Sequence, residues 1–345
     1  MVEAYQVERE PERPKEVKKS NKGFFSLVII LLLLASSLWG LALNANWRQA
    51  LYPSFKEASL PSSVETKEKA YQPPEKLTVT LLDVGQGLSF LIETPEGRVI
   101  MYDAGEGANP DFKFKRYFDA GARVILPILE KKGIKRIDTI AVTGPDSDHM
   151  GGFITILNED RLEIGEVWDI AFPKPTPTYK AFLDPINRRG IKFRLARRGQ
   201  VLDWGEDVFA QILHPDNLYS SSNNSSIVIK LVYGKVSFLF TGDIEKEAER
   251  ELVETYGPGL ESTFLQVGHH GSNTSSTPLF LDFVKPKVAL IGVGRYNTYG
   301  HPTPKTLKKL RERGIEIYRT DQDGHVVITT DGKDYEVIRT GELTD

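Results

Sequence analysis

The chain has 345 residues, no cysteine and a formal net charge of −3. The missing thiols exclude disulfides, thiolate metal ligands and a cysteine nucleophile. The near-neutral balance offers no global attraction for a polyanion, so any nucleic-acid contact has to come from a local patch.

Residues 1–22 carry six Lys/Arg and five Glu with no apolar period, which predicts a disordered tail. Residues 23–43 then run 21 positions without a charge, the length a helix needs to cross the hydrocarbon of a bilayer. Lys15, Lys18, Lys19 and Lys22 crowd the N-terminal side, whereas Arg48 and Lys56 are the first charges on the other. The positive-inside bias therefore predicts a single-pass anchor with a cytoplasmic N-terminus and the remainder extracytoplasmic. The alternative is a signal peptide cleaved near Gly40-Leu41-Ala42. An apolar run longer than an ordinary signal core favours the retained anchor. Residues 44–76, with Pro53, Pro61, Pro73 and Pro74, read as a linker.

From Leu77 to about residue 340 the texture is that of a folded domain. LTVTLLDVG is a β-branched strand ending in glycine, and the segment from Leu88 to Gly105 is a hairpin turning at Pro95-Glu96-Gly97. A helix is predicted over 123–132, followed by the strand IDTIAVTG. Further strands are predicted at 166–171, 191–196, 208–213, 226–233, 236–241, 262–267, 287–293, 315–319 and 325–330. Helices are predicted at 150–157, 178–189, 244–256, 277–283 and 304–313. Strands dominate early and helices interleave late. This predicts an α/β fold of two packed sheets with helices outside, an αββα four-layer sandwich, each half of the domain able to supply one sheet.

Chemistry concentrates at strand ends. Asp146, Asp148 and His149, in TGPDSDHMGG, place oxygen and nitrogen donors within four residues, a set that suits zinc or manganese. An acidic turn capping the following helix is the bland alternative. Asp243, in FLFTGD, is ambiguous in the same way. His269 and His270, adjacent between glycines after an apolar strand, point to a ligand or acid–base role. His301 lies in a loop after a later strand. The two remaining histidines, His214 and His325, read as structural or surface residues.

Taken in order, LLDVGQG, YDAG, PDSDHMGG, FTGD and VGHHGS resemble the metallo-β-lactamase domain of the ComEC/Rec2 DNA-uptake proteins, over about residues 77–335. That resemblance implies a hydrolase holding one or two Zn2+ ions, or Mn2+. It implies metal ligands at Asp146, Asp148, His149, Asp243 and His269, with Asp243 bridging, and catalytic roles for Asp146, His270 and His301. It also implies that Asp103 supports the metal loop from beneath. Gly144 departs from the pattern, because the family usually has His there, and leaves the first metal position one donor short. Asn223 and Asn224 lie near the site by the same resemblance, and Gln86-Gly87-Leu88 departs where many relatives carry Asp.

The reaction so implied is hydrolysis of a phosphodiester, with DNA the leading substrate. Lys113, Lys115 and Arg116, together with Arg188, Arg189, Lys192, Arg194, Arg197 and Arg198, form two basic clusters able to track a phosphate backbone. The rival readings are a hydrolase of another envelope phosphoester or of a β-lactam, and a metal-poor binding module without catalysis. Oligomeric state is not set by the sequence.

Overall fold

The structure, a computed structural model, describes residues 71–107 and 118–342, all within the second of the chain's two units, Ser54–Asp345. The predicted tail, the apolar segment 23–43, most of the linker and Lys113, Lys115 and Arg116 lie outside the described residues. Among the described residues no helix is long and apolar enough to cross a membrane.

In chain order the elements are β1 (Leu77–Leu81), β2 (Phe90–Glu93), β3 (Val99–Tyr102), α1 (Leu126–Lys132), β4 (Arg136–Val142), α2 (Ser147–Leu157), β5 (Glu163–Asp169), α3 (Pro177–Arg189) and β6 (Lys192–Leu195). They continue with β7 (Val201–Asp203), β8 (Val208–His214), β9 (Val228–Tyr233), β10 (Val236–Phe240), α4 (Lys246–Tyr256), β11 (Phe264–Gln266), α5 (Pro278–Val284), β12 (Val288–Ile291), α6 (Pro304–Arg311), β13 (Glu316–Arg319), β14 (Val326–Thr330) and β15 (Tyr335–Arg339).

Two sheets result. One is ordered β15-β14-β1-β2-β3-β4-β5-β6 and the other β13-β12-β11-β10-β9-β8-β7. The expected division of one sheet per half holds except at the C-terminus. There β14 returns to pair antiparallel with β1, Leu77 opposite Thr330, and β15 pairs with β14. Neither β7 nor β15 is among the predicted strands. β7 is only three residues long, and β15 is an edge strand with no buried side chain, so neither leaves an apolar period to read.

The β-strands send alternate residues to opposite faces, and this parity makes the layers. Leu77, Val79, Leu81, Phe90, Ile92, Ile100 and Tyr102 from the first sheet meet Ile229, Leu231, Phe238, Phe240, Phe264, Val288 and Leu290 from the second in one core. The outer face of the second sheet, through Leu239, Leu265, Ala289 and Ile291, packs on Leu252 of α4, Phe280 and Leu281 of α5 and Leu310 of α6. On the first sheet the opposite parity, Met101, Ile140 and Val142, is equally buried, as are Phe153 and Ile156 of α2 and Phe182 and Ile186 of α3. The predicted αββα sandwich is the observed fold.

Candidate metal centre

The chemistry-bearing residues sit just past the ends of β3 and β4 in one sheet and of β10, β11 and β12 in the other, where parallel strands end. They line one open cleft of about 320 Å3, bounded by Asp148, Asp243, His269, His270, Tyr299 and His301, with Gln86, Asp146 and Ser222 on its walls.

Asp148, His149 and His270 bring one donor atom each to within 4.8 Å of one another. His270 Nε2 lies 3.4 Å from Asp148 Oδ2 and 3.6 Å from Asp243 Oδ1, and His149 Nε2 lies 3.1 Å from Asp243 Oδ2. Three of these atoms, His149 Nε2, His270 Nε2 and Asp243 Oδ1, are buried with no hydrogen-bond partner. Buried polar atoms are normally satisfied. Lone pairs left bare and aimed at a common point are what a divalent cation requires, and imidazole nitrogen with carboxylate oxygen suits zinc or manganese.

The far side of each ring explains why the lone pairs face inward. His270 Nδ1–H donates to the Gly292 carbonyl at 2.7 Å, and His149 Nδ1–H to the Asp103 carboxylate, also at 2.7 Å. Protonating Nδ1 leaves Nε2 as the acceptor, the arrangement in which outer partners fix a metal-binding imidazole. Asp103 is wholly buried and also accepts from the Thr143 amide and hydroxyl, both at 2.8 Å.

Backbone clamps hold the loop itself. Leu88 N donates to Asp148 O at 3.1 Å and Ala104 N to His149 O at 2.7 Å. Across the cleft, Gln266 braces the turn that presents Asp243. Its Oε1 accepts from Thr241 N (2.6 Å) and Gly242 N (2.7 Å), and its Nε2 donates to Gly242 O (3.0 Å). Gln266 is absent from the sequence-derived site, and its signal was a lone amide inside the apolar strand FLQVG.

Neither carboxylate serves as a helix cap. Asp146 occupies the N-cap of α2 without a side-chain cap bond. The N-terminal turn of α4 is capped instead by Asn224, whose Oδ1 accepts from Glu245 N at 2.9 Å.

Of the two adjacent histidines, His270 joins Asp148 and His149, whereas sequence reasoning put His269 in the metal set and gave His270 the acid–base role. Both have left-handed backbone (φ 50° and 53°), so their side chains diverge. His269 Nε2 stands 3.9 Å from Asp243 Oδ2, with its Nδ1 3.4 Å from Glu245 Oε1. Asp146, expected as a ligand, lies outside the cluster. Its Oδ1 accepts from the Lys174 ammonium and its Oδ2 from Ser222 Oγ at 3.0 Å. His301 closes the cleft wall, its ring 5.5 Å from that of His269 and its buried Nδ1 unpartnered. His214 is fully buried on β8, apart from the cleft, with Nε2–H donated to Asn224 O at 2.7 Å. His325 opens β14, where its Nδ1 accepts from Asp83 N at 2.8 Å.

Without an ion, burial drives the two carboxylates up, but the facing imidazoles outweigh it, and Asp148 and Asp243 end below the usual carboxylate range. Conversely, burial lowers the imidazoles. Asp243 and Asp103 still hold His149 well above its ordinary value, and Asp243 and Asp148 raise His270. The centre is a set of buried carboxylates and imidazoles, each favouring the charged form of the other. His301 differs, because burial and the neighbouring His269 and His270 lower it.

The basic cluster at 188–198 is consumed internally. Arg188 bonds Asn158, Arg189 the carbonyls of Leu157 and Leu162, and Arg197 those of Ile170 and Ala196. Lys192 and Arg194 pair with Glu166, and Arg198 with Glu251.

A sequence profile described as the metallo-beta-lactamase superfamily matches residues 82–295, well over half of the chain. The chain belongs to the metallo-β-lactamase superfamily. Within it, the domain is 33% identical over 257 residues to "ComE operon protein 3" of Bacillus subtilis, covering 72% of this chain and 32% of that protein. It is 32% identical to "Competence protein ComA" of Neisseria gonorrhoeae, covering 73% and 32%. It is 33% identical to "Recombination protein 2" of Haemophilus influenzae, covering 72% and 28%. The ComEC/Rec2 resemblance of the motifs is thereby borne out. The chain spans less than a third of the length of each of these curated relatives.

Proposed function

We propose that this metallo-β-lactamase-fold chain is a metal-dependent phosphodiesterase acting on DNA, carried outside the cell membrane by the apolar segment 23–43. The observation that carries the hydrolase reading is the convergence of three buried, unpartnered donor atoms, His149 Nε2, His270 Nε2 and Asp243 Oδ1. Asp148, His149 and His270, with Asp243 beside them, would hold the ion. A divalent cation bound there supplies Lewis acidity, polarising a phosphoryl oxygen and acidifying water.

The chain's own side chains do the rest. Asp103 and the Gly292 carbonyl keep both imidazoles in the ligand tautomer. His301, which burial and the neighbouring His269 and His270 push below its ordinary value, can take a proton from water at the cleft wall. This suits a general base.

Two features favour a nucleic acid. The relatives' names concern competence and recombination. In addition, Tyr299, 67% exposed on the cleft wall, and Tyr296, 90% exposed on the same loop, offer faces on which unpaired bases can stack. The anchor rests on the uncharged 23–43 run and its flanking lysines.

The test is cleavage by the full chain, purified in detergent, with Mn2+ or Zn2+, of single-stranded DNA, double-stranded DNA and bis(p-nitrophenyl) phosphate. DNA cleavage is expected, abolished by chelator and reduced about 100-fold or more in His270→Ala and Asp148→Ala. Cleavage that survives in both variants removes the site assignment. Ester hydrolysis with DNA left intact removes the DNA assignment.

A further inference from the structure

We infer that this centre holds one divalent cation rather than two, the ammonium of Lys174 standing as the second positive charge. The inference rests on the metal-dependent reading above and sharpens it. Among the described residues a single set of three His/Asp/Glu donor atoms comes together, and it is Asp148, His149 and His270. The candidates for a second set on the Asp146 side of the cleft are spent or missing. Gly144 has no side chain. Asp146 has both carboxylate oxygens engaged, one by Lys174 and the other by Ser222. Asn224 Oδ1 accepts from Glu245 N, and its Nδ2 donates to Glu247. His214 donates Nε2–H to a carbonyl and does not line the cleft.

The charge count agrees. A carboxylate at Asp146 beside an occupied metal position would need a cation, and Lys174 provides one permanently bonded to the chain. A Cβ built on Gly144 meets no atom within 4 Å, and the backbone there is not left-handed, so a side chain can be added without strain.

Elemental analysis and calorimetric titration with Mn2+, on the full chain in detergent, read the stoichiometry. Electron paramagnetic resonance reads whether the ions are coupled. One Mn2+ per chain with an isolated six-line signal is expected. Two per chain with an exchange-coupled signal overturns the inference and leaves the hydrolase reading intact. No bound metal removes that reading as well. The variant Gly144→His with Lys174→Met supplies a donor and frees Asp146, and is expected to bind a second, weaker Mn2+. A count unchanged at one, with the circular dichroism of the parent, overturns the roles given to these two residues.

Discussion

His149 and His214 are both buried imidazoles held through one ring nitrogen, yet their surroundings drive them apart. His149 faces the Asp103 and Asp243 carboxylates and is pushed up despite burial. His214 donates to a neutral carbonyl; burial, and then the Arg198 guanidinium, lowers it to about 4. An unfolded histidine titrates near 6.5. His214 is thus neutral in the folded chain at pH values where the unfolded chain already binds a proton. The stability this contributes is complete above pH 6.5 and is lost as pH falls towards 4, about 3 kcal/mol at full extent. His214→Gln keeps a donor but cannot titrate. Denaturant unfolding at pH 7 and pH 4.5 is therefore expected to show the wild-type advantage over this variant shrinking by about 2 kcal/mol. An advantage that does not change with pH would mean that His214 is not held neutral. Sequence alone could list both histidines, but it could not separate them, because the separation lies in residues 46 and 10 positions away.

At the level of elements, the motifs named the right loops because each ends an apolar strand with glycine followed by a donor. The pattern PDSDHMGG after IDTIAV, and FTGD after VSFL, could be read without coordinates. Which of His269 and His270 turns inward could not, since it depends on two successive left-handed residues and on the Gly292 carbonyl from the next strand. Nor could Lys174, which reaches Asp146 from the loop between β5 and α3. The loop after β1 shows how closely these elements are fitted. Gly87 has φ +141°, and a Cβ there would lie 2.4 Å from the Asp148 carbonyl oxygen. Gly87→Ala must therefore push the metal loop away, and Mn2+ affinity is expected to fall about tenfold or more. Gly199 has φ +86° with nothing within 4 Å of an added Cβ, so Gly199→Ala carries backbone strain without displacing the loop. Calorimetric Mn2+ titration of the two variants separates strain from displacement; equal affinities would show that the close approach does not position Asp148.

Across the whole molecule, the centre joins the two sheets. Asp148 and His149 follow β4 of the first sheet, whereas Asp243 and His270 follow β10 and β11 of the second. An ion held by all four is a cross-link that exists only in the folded state, so its binding free energy adds to stability. At a free concentration 100 times the dissociation constant the gain is about 2.7 kcal/mol, which for a domain of this size raises the unfolding temperature by roughly 5–10 °C. Thermal unfolding of the full chain in detergent is therefore expected to shift upward with Mn2+, to return with chelator, and to keep rising with the logarithm of the free metal concentration. Removing the carboxylate beside the cluster, in Asp243→Asn, should abolish most of that response while the metal-free unfolding temperature stays within a few degrees of the parent. A variant that still gains the full shift would show that Asp243 does not hold the ion, leaving His270 to carry the link from the second sheet.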